Sequence, residues 1–119
     1  MDVKKSRVFN LNTMINYNEG SVVSRTILRE KSGTITMFAF DENEGLSEHV
    51  VPYDAYLYIV EGALTATVKN RPAIACSKMD FVYVPANVPH EVKADKKCKM
   101  FLIMIRSKDK SLKVIDKIA

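Results

Sequence analysis

The sequence predicts an all-β domain, and three observations support this fold class. Short runs rich in β-branched and aromatic residues recur about every 8–12 residues, and turn residues separate them. No long segment of helical periodicity lies between these runs, which argues against an α/β sheet. The chain has no Trp and no Cys-Trp-Cys spacing, so a true immunoglobulin domain is disfavoured. The pattern alone leaves an immunoglobulin-like sandwich and a jelly-roll barrel open.

Length and composition predict one globular domain without a nucleic-acid or membrane partner. The 119 residues are enough for one domain with its own core. The net charge is +4, and the clearest basic cluster lies in residues 93–99 around a predicted turn. A solvated hairpin tip explains this cluster without a bound nucleic acid. No apolar segment approaches the ~18 residues needed to span a bilayer.

Two further features predict a cytoplasmic protein. Cys76 and Cys98 lie in predicted strands and form no CxxC pair, so we expect buried thiols in a reducing compartment. The first residues are basic but no apolar run follows them, so a secretory signal is not expected.

The barrel domain is predicted to comprise residues 21–107, with about nine or ten short strands. Their β-branched and apolar runs are residues 22–30, 34–40, 46–51, 56–61, 63–69, 72–77, 81–84, 89–93 and 99–106. Gly62 permits a tight turn between two of these strands, whereas Pro52 ends the ladder of another. Residues 94–97 are predicted to form a charged turn.

Two segments flank the predicted barrel. The polar arm of residues 1–20 has one potential helical turn at residues 11–15, with Asn12 and Thr13 as caps. Its apolar surface is too small to fold alone, so we expect it to lie against another surface, namely the neighbouring subunit of a homodimer. The tail of residues 108–119 has apolar residues at helical spacing, which predicts a short C-terminal helix. These residues are Leu112, Ile115 and Ile118.

Two histidines, far apart in the sequence, are the most informative residues of the chain. His49 precedes a Pro-containing bend and a strand-like run, and His90 follows a short apolar run and two prolines. If both runs belong to one closed sheet, the two imidazoles face each other inside it.

These two stretches resemble the paired motifs of the cupin superfamily, which are small jelly-roll barrels. The first motif reads His-x-His, three or four residues, Glu, six residues, Gly, and it falls on His49, Val51, Ala55 and Gly62. The second reads Gly, five residues, Pro-x-Gly, two residues, His, three residues, Asn, and it falls on Met79, Pro85, Asn87, His90 and Ala94. Residues 20–106 are similar to the small single-domain proteins called cupin-2 conserved barrels. The resemblance therefore implies a double-stranded β-helix, or jelly-roll, cupin barrel.

The metal ligands of this family are only partly present in the chain. In metal-binding cupins, both histidines and the glutamate of the first motif and the histidine of the second hold one ion. Here Val51 and Ala55 replace two of these ligands, and neither side chain can coordinate. The resemblance leaves His49 and His90 as possible ligands of a divalent zinc, nickel, iron or manganese ion. A third ligand would have to come from Glu48, Tyr53, Asp54 or Cys76 through a bulge in the backbone.

The cupin register also predicts which side chains line the lumen. Residues two apart on a strand share a face, so the inward set extends from each histidine to its neighbours. The predicted lumen residues are His49, Val51, Ala55, Leu57, His90 and Val92, with Tyr53 at the barrel mouth. Apolar walls with a few polar groups are typical of small-molecule pockets. Tyr56 and Tyr58 point the other way, and we expect them to pack against another sheet or a second subunit.

The sequence therefore favours a cupin that binds a small molecule near His49 and His90. Two alternatives stay open. One is a metal-dependent cupin enzyme of the isomerase or oxygenase type with a reduced ligand set, and the other is a dimerisation module with a vestigial cavity. No nucleophile-base-acid triad and no glycine-rich phosphate loop is visible in the sequence, so whether the protein is an enzyme is left open.

Overall fold

A computed structural model describes residues 6–106 as an antiparallel β-structure, and this range contains no helix. The all-β prediction is confirmed. The strands of this range are β1 (Val22–Glu30), β2 (Gly33–Phe40), β3 (Gly45–His49), β4 (Asp54–Val68), β5 (Ile74–Ser77), β6 (Phe81–Val84) and β7 (His90–Ile105). The predicted C-terminal helix at residues 108–119 lies outside the described residues.

Two long strands, β4 and β7, form the centre of the sheet and run through both halves of the barrel. The first half of β4 pairs with β6 and with the second half of β7. The second half of β4 pairs with β5 and with the first half of β7. Strands β2 and β3 add to opposite halves of β7, and β1 adds to β2. The single hydrogen-bonded sheet thus folds over on itself and encloses a core.

The corner of this folded sheet lies where the sequence predicted two turns. The register between β4 and β7 shifts around Glu61 and Ala63, opposite residues 96–99. Both strands therefore bend together and continue, so the predicted turns at Gly62 and at residues 94–97 are wrong. Gly62 has φ +89, and a Cβ there would lie 1.9 Å from the carbonyl oxygen of Lys97. A glycine is needed at the bend because it permits both this backbone angle and this close approach.

The main core lies between the two halves of the sheet. It contains inward residues of β4 and β7 such as Leu57, Ile59, Leu64 and Met100, all buried. These residues recur at every second position along each strand, so their side chains lie on one face of the sheet. The sequence shows the same two-residue periodicity. Cys76 and Cys98 are buried free thiols in this core, as predicted. Burial raises the pKa of Cys98 to about 12, so this side chain is a neutral thiol.

A second, smaller apolar cluster lies on the outer face of the sheet, under the N-terminal arm. Ile15 of the arm is buried there against Met37 and Ala39 of β2. Leu11 and Tyr17 pack against the same cluster. The described part of the arm therefore lies on its own barrel, and any contact with a neighbouring subunit stays a prediction.

Hydrogen bonds fasten the arm at several points. The amides of Asn12 and Thr13 donate to Oδ1 of Asn10, so Asn10 caps the turn and the predicted caps are wrong. Arg25 Nη1 donates to the carbonyl oxygen of Met14 at 2.7 Å. Tyr17 donates its phenol proton to Oε2 of Glu61 at 2.5 Å.

Candidate functional site

His49 and His90 lie side by side, as the sequence predicted. His49 is the last residue of β3 and His90 is the first residue of β7, and the two are register partners in the sheet. Their ring centroids are 4.4 Å apart and the ring planes are inclined by 57°. His90 is buried and His49 is half-buried. Two residues that are 41 positions apart in the sequence thus form a pair of adjacent imidazole rings in an otherwise apolar cavity wall.

Backbone carbonyls fix the tautomer of both rings. Nδ1 of His49 lies 2.7 Å from the carbonyl oxygen of Ser47, and Nδ1 of His90 lies 2.9 Å from that of Val88. A carbonyl oxygen only accepts hydrogen bonds, so Nδ1 carries the proton in each ring. In the neutral rings, Nε2 therefore keeps its lone pair. The pair offers two acceptor nitrogens whose ring orientations are already held by the protein.

A cavity of about 30 Å³ lies against the two rings. This volume holds one or two water molecules. Its wall consists of Leu46, His49, Ala55, Leu57, His90, Val92, Met100, Leu102 and Met104. Apart from the two imidazoles, these side chains are apolar, as small-molecule pockets require.

The structure places most of the predicted lumen residues in this wall. Ala55, Leu57 and Val92 line the cavity beside the two histidines, but Val51 and Tyr53 are not part of its lining. Strand β3 ends at His49, so the alternation that would have aligned Val51 with His49 stops before it reaches Val51. The role of all these residues in binding stays a prediction.

The remaining lining residues were missed by the sequence reasoning. Met100, Leu102 and Met104 alternate along β7 and are cross-strand partners of Ile59, Leu57 and Ala55. Their alternation was visible in the sequence, but the apolar run of residues 99–106 does not reveal which of its two faces points inward. Leu46 is the cross-strand partner of Val92 in the other half of the barrel.

Two loops flank the histidine pair and are joined by hydrogen bonds. The amide of Asn87 donates to the carbonyl oxygen of Val51 at 2.9 Å. Oδ1 of Asp54 accepts from the amide of Ala86 and from the phenol of Tyr83, both at 3.0 Å. Burial and the bond to Asp54 raise the pKa of the Tyr83 phenol. Asp54 thus holds the loop before β7 in place.

A resident metal does not fit the donor atoms of residues 6–106. No three His, Cys, Asp or Glu residues in that range are grouped closely enough to hold an ion. Two imidazoles fall short of the three protein ligands of a catalytic zinc site. Asp54 is engaged with the neighbouring loop, and burial raises the pKa of the Cys76 thiol, which disfavours the thiolate form that binds metals.

This arrangement defines a small antiparallel β-barrel protein with a histidine pair in an apolar lumen. The chain belongs to the cupin domain family, because the family model described as Cupin domain matches residues 36–105, more than half of the chain. No match was found among curated proteins. No helix within the described residues is long and apolar enough to cross a membrane.

Solved structures of three bacterial proteins are similar to this chain. A conserved protein of unknown function from Streptococcus pyogenes is 22% identical, with a TM-score of 0.81 over 88% of this chain and 91% of that chain. A cupin superfamily protein from Desulfitobacterium hafniense is 24% identical, with a TM-score of 0.80 over 87% of this chain and 94% of that chain. A cupin 2 conserved barrel domain protein from Leptotrichia buccalis is 31% identical, with a TM-score of 0.78 over 82% of this chain and 47% of that longer chain. The predicted cupin barrel is therefore confirmed.

Proposed function

We propose that this cupin binds a small molecule in its lumen, with His49 and His90 as the polar anchors. The observation that supports this most strongly is the pair of facing rings, each with Nδ1 bound to a carbonyl and Nε2 left as an acceptor. The apolar wall gives the cavity a low local dielectric, which strengthens hydrogen bonds from a bound ligand to the two nitrogens.

The chemistry of the two nitrogens indicates what such a ligand carries. Neutral rings in this tautomer accept hydrogen bonds, so they fit a ligand with hydroxyl or N–H donors. Protonated rings donate from both nitrogens and fit a carboxylate instead. The cavity holds only one or two waters, so a larger ligand requires wall side chains to move. Met100 and Met104 suit such a movement because methionine has three rotatable bonds and adapts its shape.

Thermal unfolding with three probes tests this proposal: glycerol, lactate and acetate. A probe that binds only the folded chain raises the melting temperature, and at about 100 times its Kd it adds about 2.7 kcal/mol to the free energy of unfolding. We expect His49→Ala and His90→Ala to abolish the shift. The matched control is Glu48→Gln, which changes an exposed neighbour of His49 and should keep the shift.

Two results would contradict the proposal. One is stoichiometric metal in protein purified without an affinity tag, lost in the His49→Ala variant, which would establish the metal-dependent enzyme instead. The other is metal-free protein whose melting temperature no probe changes, which would favour a module with a vestigial cavity.

We also propose that the protein is a cytoplasmic homodimer. Tyr56, Phe81 and Tyr83 form an aromatic patch on the outer face of β4 and β6, with Tyr56 centred 5.8 Å from Phe81 and 5.2 Å from Tyr83. Phe81 is 60% exposed, and exposed apolar clusters commonly mark protein interfaces. The buried free thiols of Cys76 and Cys98 support a reducing compartment.

A further inference from the structure

A row of four side chains leads from the histidine cavity to the edge strand β1. Arg29 is the cross-strand partner of Thr34, Thr34 is the partner of Met104, and Met104 is the partner of Ala55. Directly opposed residues present their side chains on the same face of a sheet. Met104 and Ala55 line the cavity, so Thr34 and Arg29 continue the row away from it. We call these four residues the mouth row.

The alternation of side chains along β2 shows that the mouth row faces the lumen. Phe38 packs against the main core, whereas Met37 lies in the outer cluster under the arm. Thr34 is four residues before Phe38 in the same strand, so it shares the inner face. The register of β2 with β7 has no irregularity, and the irregularity in β1 comes before its pairing with Thr34. Arg29 therefore shares the inner face with Thr34.

Arg29 places a positive charge at the opening of the lumen. Among the described strand residues that face inward in this half of the sheet, it is the charged one, and the others are apolar or bear a hydroxyl or thiol. Ser24 and Thr26 lie on the same face of β1, and all three side chains are exposed. The described residues thus leave this part of the inner face uncovered, so a ligand in solution meets the guanidinium first.

Thr34 adds an unused hydroxyl between Arg29 and the cavity wall. Its Oγ1 atom is buried and has no hydrogen-bond partner among the described residues. A buried polar group without a partner costs free energy, and such groups are rare in folded proteins. Met104 beside it is half-buried and adapts its shape easily. A ligand that displaces Met104 along the mouth row supplies the missing partner.

We propose that the ligand is a small hydroxy acid that lies along the mouth row, with its hydroxyl at the histidine pair and its carboxylate at Arg29. This inference rests on the proposed binding at His49 and His90. The cavity of about 30 Å³ has room for the hydroxyl end, and the neutral rings accept its hydrogen bond. The planar guanidinium fits a carboxylate because it donates two parallel hydrogen bonds. The Thr34 hydroxyl lies next to Arg29 and donates to the same carboxylate.

The spacing of the strands limits the length of this ligand. Arg29 is two strand spacings, or about 10 Å, from Met104 at the cavity wall. The long arginine side chain covers part of this distance, so only a few carbon atoms separate the hydroxyl of the ligand from its carboxylate. The compound γ-hydroxybutyrate has this form, and butanediol is the matching compound without a charge.

Titration calorimetry of the full chain with these two compounds tests the proposal. We expect Arg29→Gln to weaken the binding of γ-hydroxybutyrate by at least about tenfold and to leave the binding of butanediol unchanged. The matched control is Lys31→Gln, which removes the same charge from the exposed turn between β1 and β2 and should change neither. His49→Ala should weaken the binding of both compounds.

Thr34→Val gives a second measurement, which does not depend on charge. Valine is similar in shape but lacks the unpaired hydroxyl, so the melting temperature of the free protein should not fall. The binding of γ-hydroxybutyrate should weaken by about threefold or more. A lower melting temperature of the free variant would show that the hydroxyl already has a partner, and it would contradict the placement of the ligand along the row.

The remaining outcomes separate this inference from the proposed function. If γ-hydroxybutyrate binds no more tightly than butanediol, the role of Arg29 is refuted and binding at the histidine pair stands. If neither compound binds, both proposals fail. Tighter binding of glycerol phosphate than of γ-hydroxybutyrate would also refute the hydroxy acid, because it would assign the guanidinium to a phosphate.

Discussion

At the scale of single residues, two backbone carbonyls determine what the histidine pair offers to a ligand. Each Nδ1 donates to a carbonyl two residues earlier in the chain, so the rings cannot rotate freely and both Nε2 atoms are acceptors when the rings are neutral. In the motif that the chain resembles, two further ligands accompany these histidines. Their replacement by Val51 and Ala55 leaves a site suited to hydrogen bonding rather than to a full coordination shell.

Gly62 gives a prediction at the same scale. Gly62→Ala should lower the free energy of unfolding by about 2–4 kcal/mol, because the new Cβ meets the backbone at Lys97 and the left-handed φ adds strain. The matched control is Gly20→Ala, which also has a positive φ but no atom within 4 Å of its Cβ. The control isolates the cost of placing a Cβ on a left-handed backbone, which is about 1–2 kcal/mol. Urea unfolding of both variants measures the difference, and equal losses would refute the steric argument.

At the scale of elements, the N-terminal arm packs across the outer face of the sheet and is held there by several contacts. Ile15 provides its buried apolar contact. The phenol of Tyr17 donates to Glu61, Lys99 Nζ donates to the carbonyl oxygen of Asn12, and this ammonium lies 5.2 Å from the Tyr17 ring centre. Glu61 and Lys99 are cross-strand partners at the corner of β4 and β7. The arm is thus fastened to the same corner that allows the sheet to fold over.

Tyr17 makes this attachment dependent on pH. Burial and the bond to Glu61 raise its pKa above the ordinary value, so the folded chain resists ionisation of this phenol. The stabilisation is complete below the ordinary tyrosine pKa of about 10 and declines as the pH rises above it, because only the unfolded chain ionises readily. Tyr17→Phe should cost about 1 kcal/mol at neutral pH and should flatten this decline.

Urea unfolding from neutral pH to above pH ~10 measures both effects in the parent chain and in the variant. The control is Tyr53→Phe, which removes a phenol from the loop before β4 and leaves the arm untouched. If Tyr17→Phe retains the alkaline decline of the parent, the proposed role of Tyr17 is incorrect.

At the scale of the whole molecule, the described outer face of the sheet has a covered region and an exposed aromatic region. The N-terminal arm covers one region, and the aromatic patch of Tyr56, Phe81 and Tyr83 forms the other. Light scattering at micromolar concentration should therefore give the mass of a dimer. Phe81→Lys should shift it to a monomer, because a charge would be buried in the contact.

The matched control for the dimer is Val8→Lys. Val8 is 93% exposed on the arm, so the change adds the same charge away from the aromatic patch and should preserve the dimer. A parent chain that scatters as a monomer at this concentration would rule out the proposed interface.

How far the sequence predicted this structure depends on the range of the interactions involved. The alternating apolar pattern predicted the strands well, because burial on one face of a sheet is a local property of the chain. The predicted turns at Gly62 and at residues 94–97 failed because turn residues and bulge residues look alike in sequence. Only the pairing of β4 with β7 distinguishes a hairpin from a bend.

The sequence by itself predicted the all-β class and carried the cupin resemblance, and that resemblance implied an apolar lumen with His49 facing His90. The fold class follows from the periodicity of apolar residues, which is a local property of the chain, and the resemblance follows from the spacing of the two motifs. The tertiary structure alone decided that Met100, Leu102 and Met104 complete the cavity wall, that Val51 lies outside it, and that the arm lies on its own barrel. Those outcomes depend on where each strand ends, on the register between strands and on packing. All three are set by contacts between residues that are far apart in the sequence.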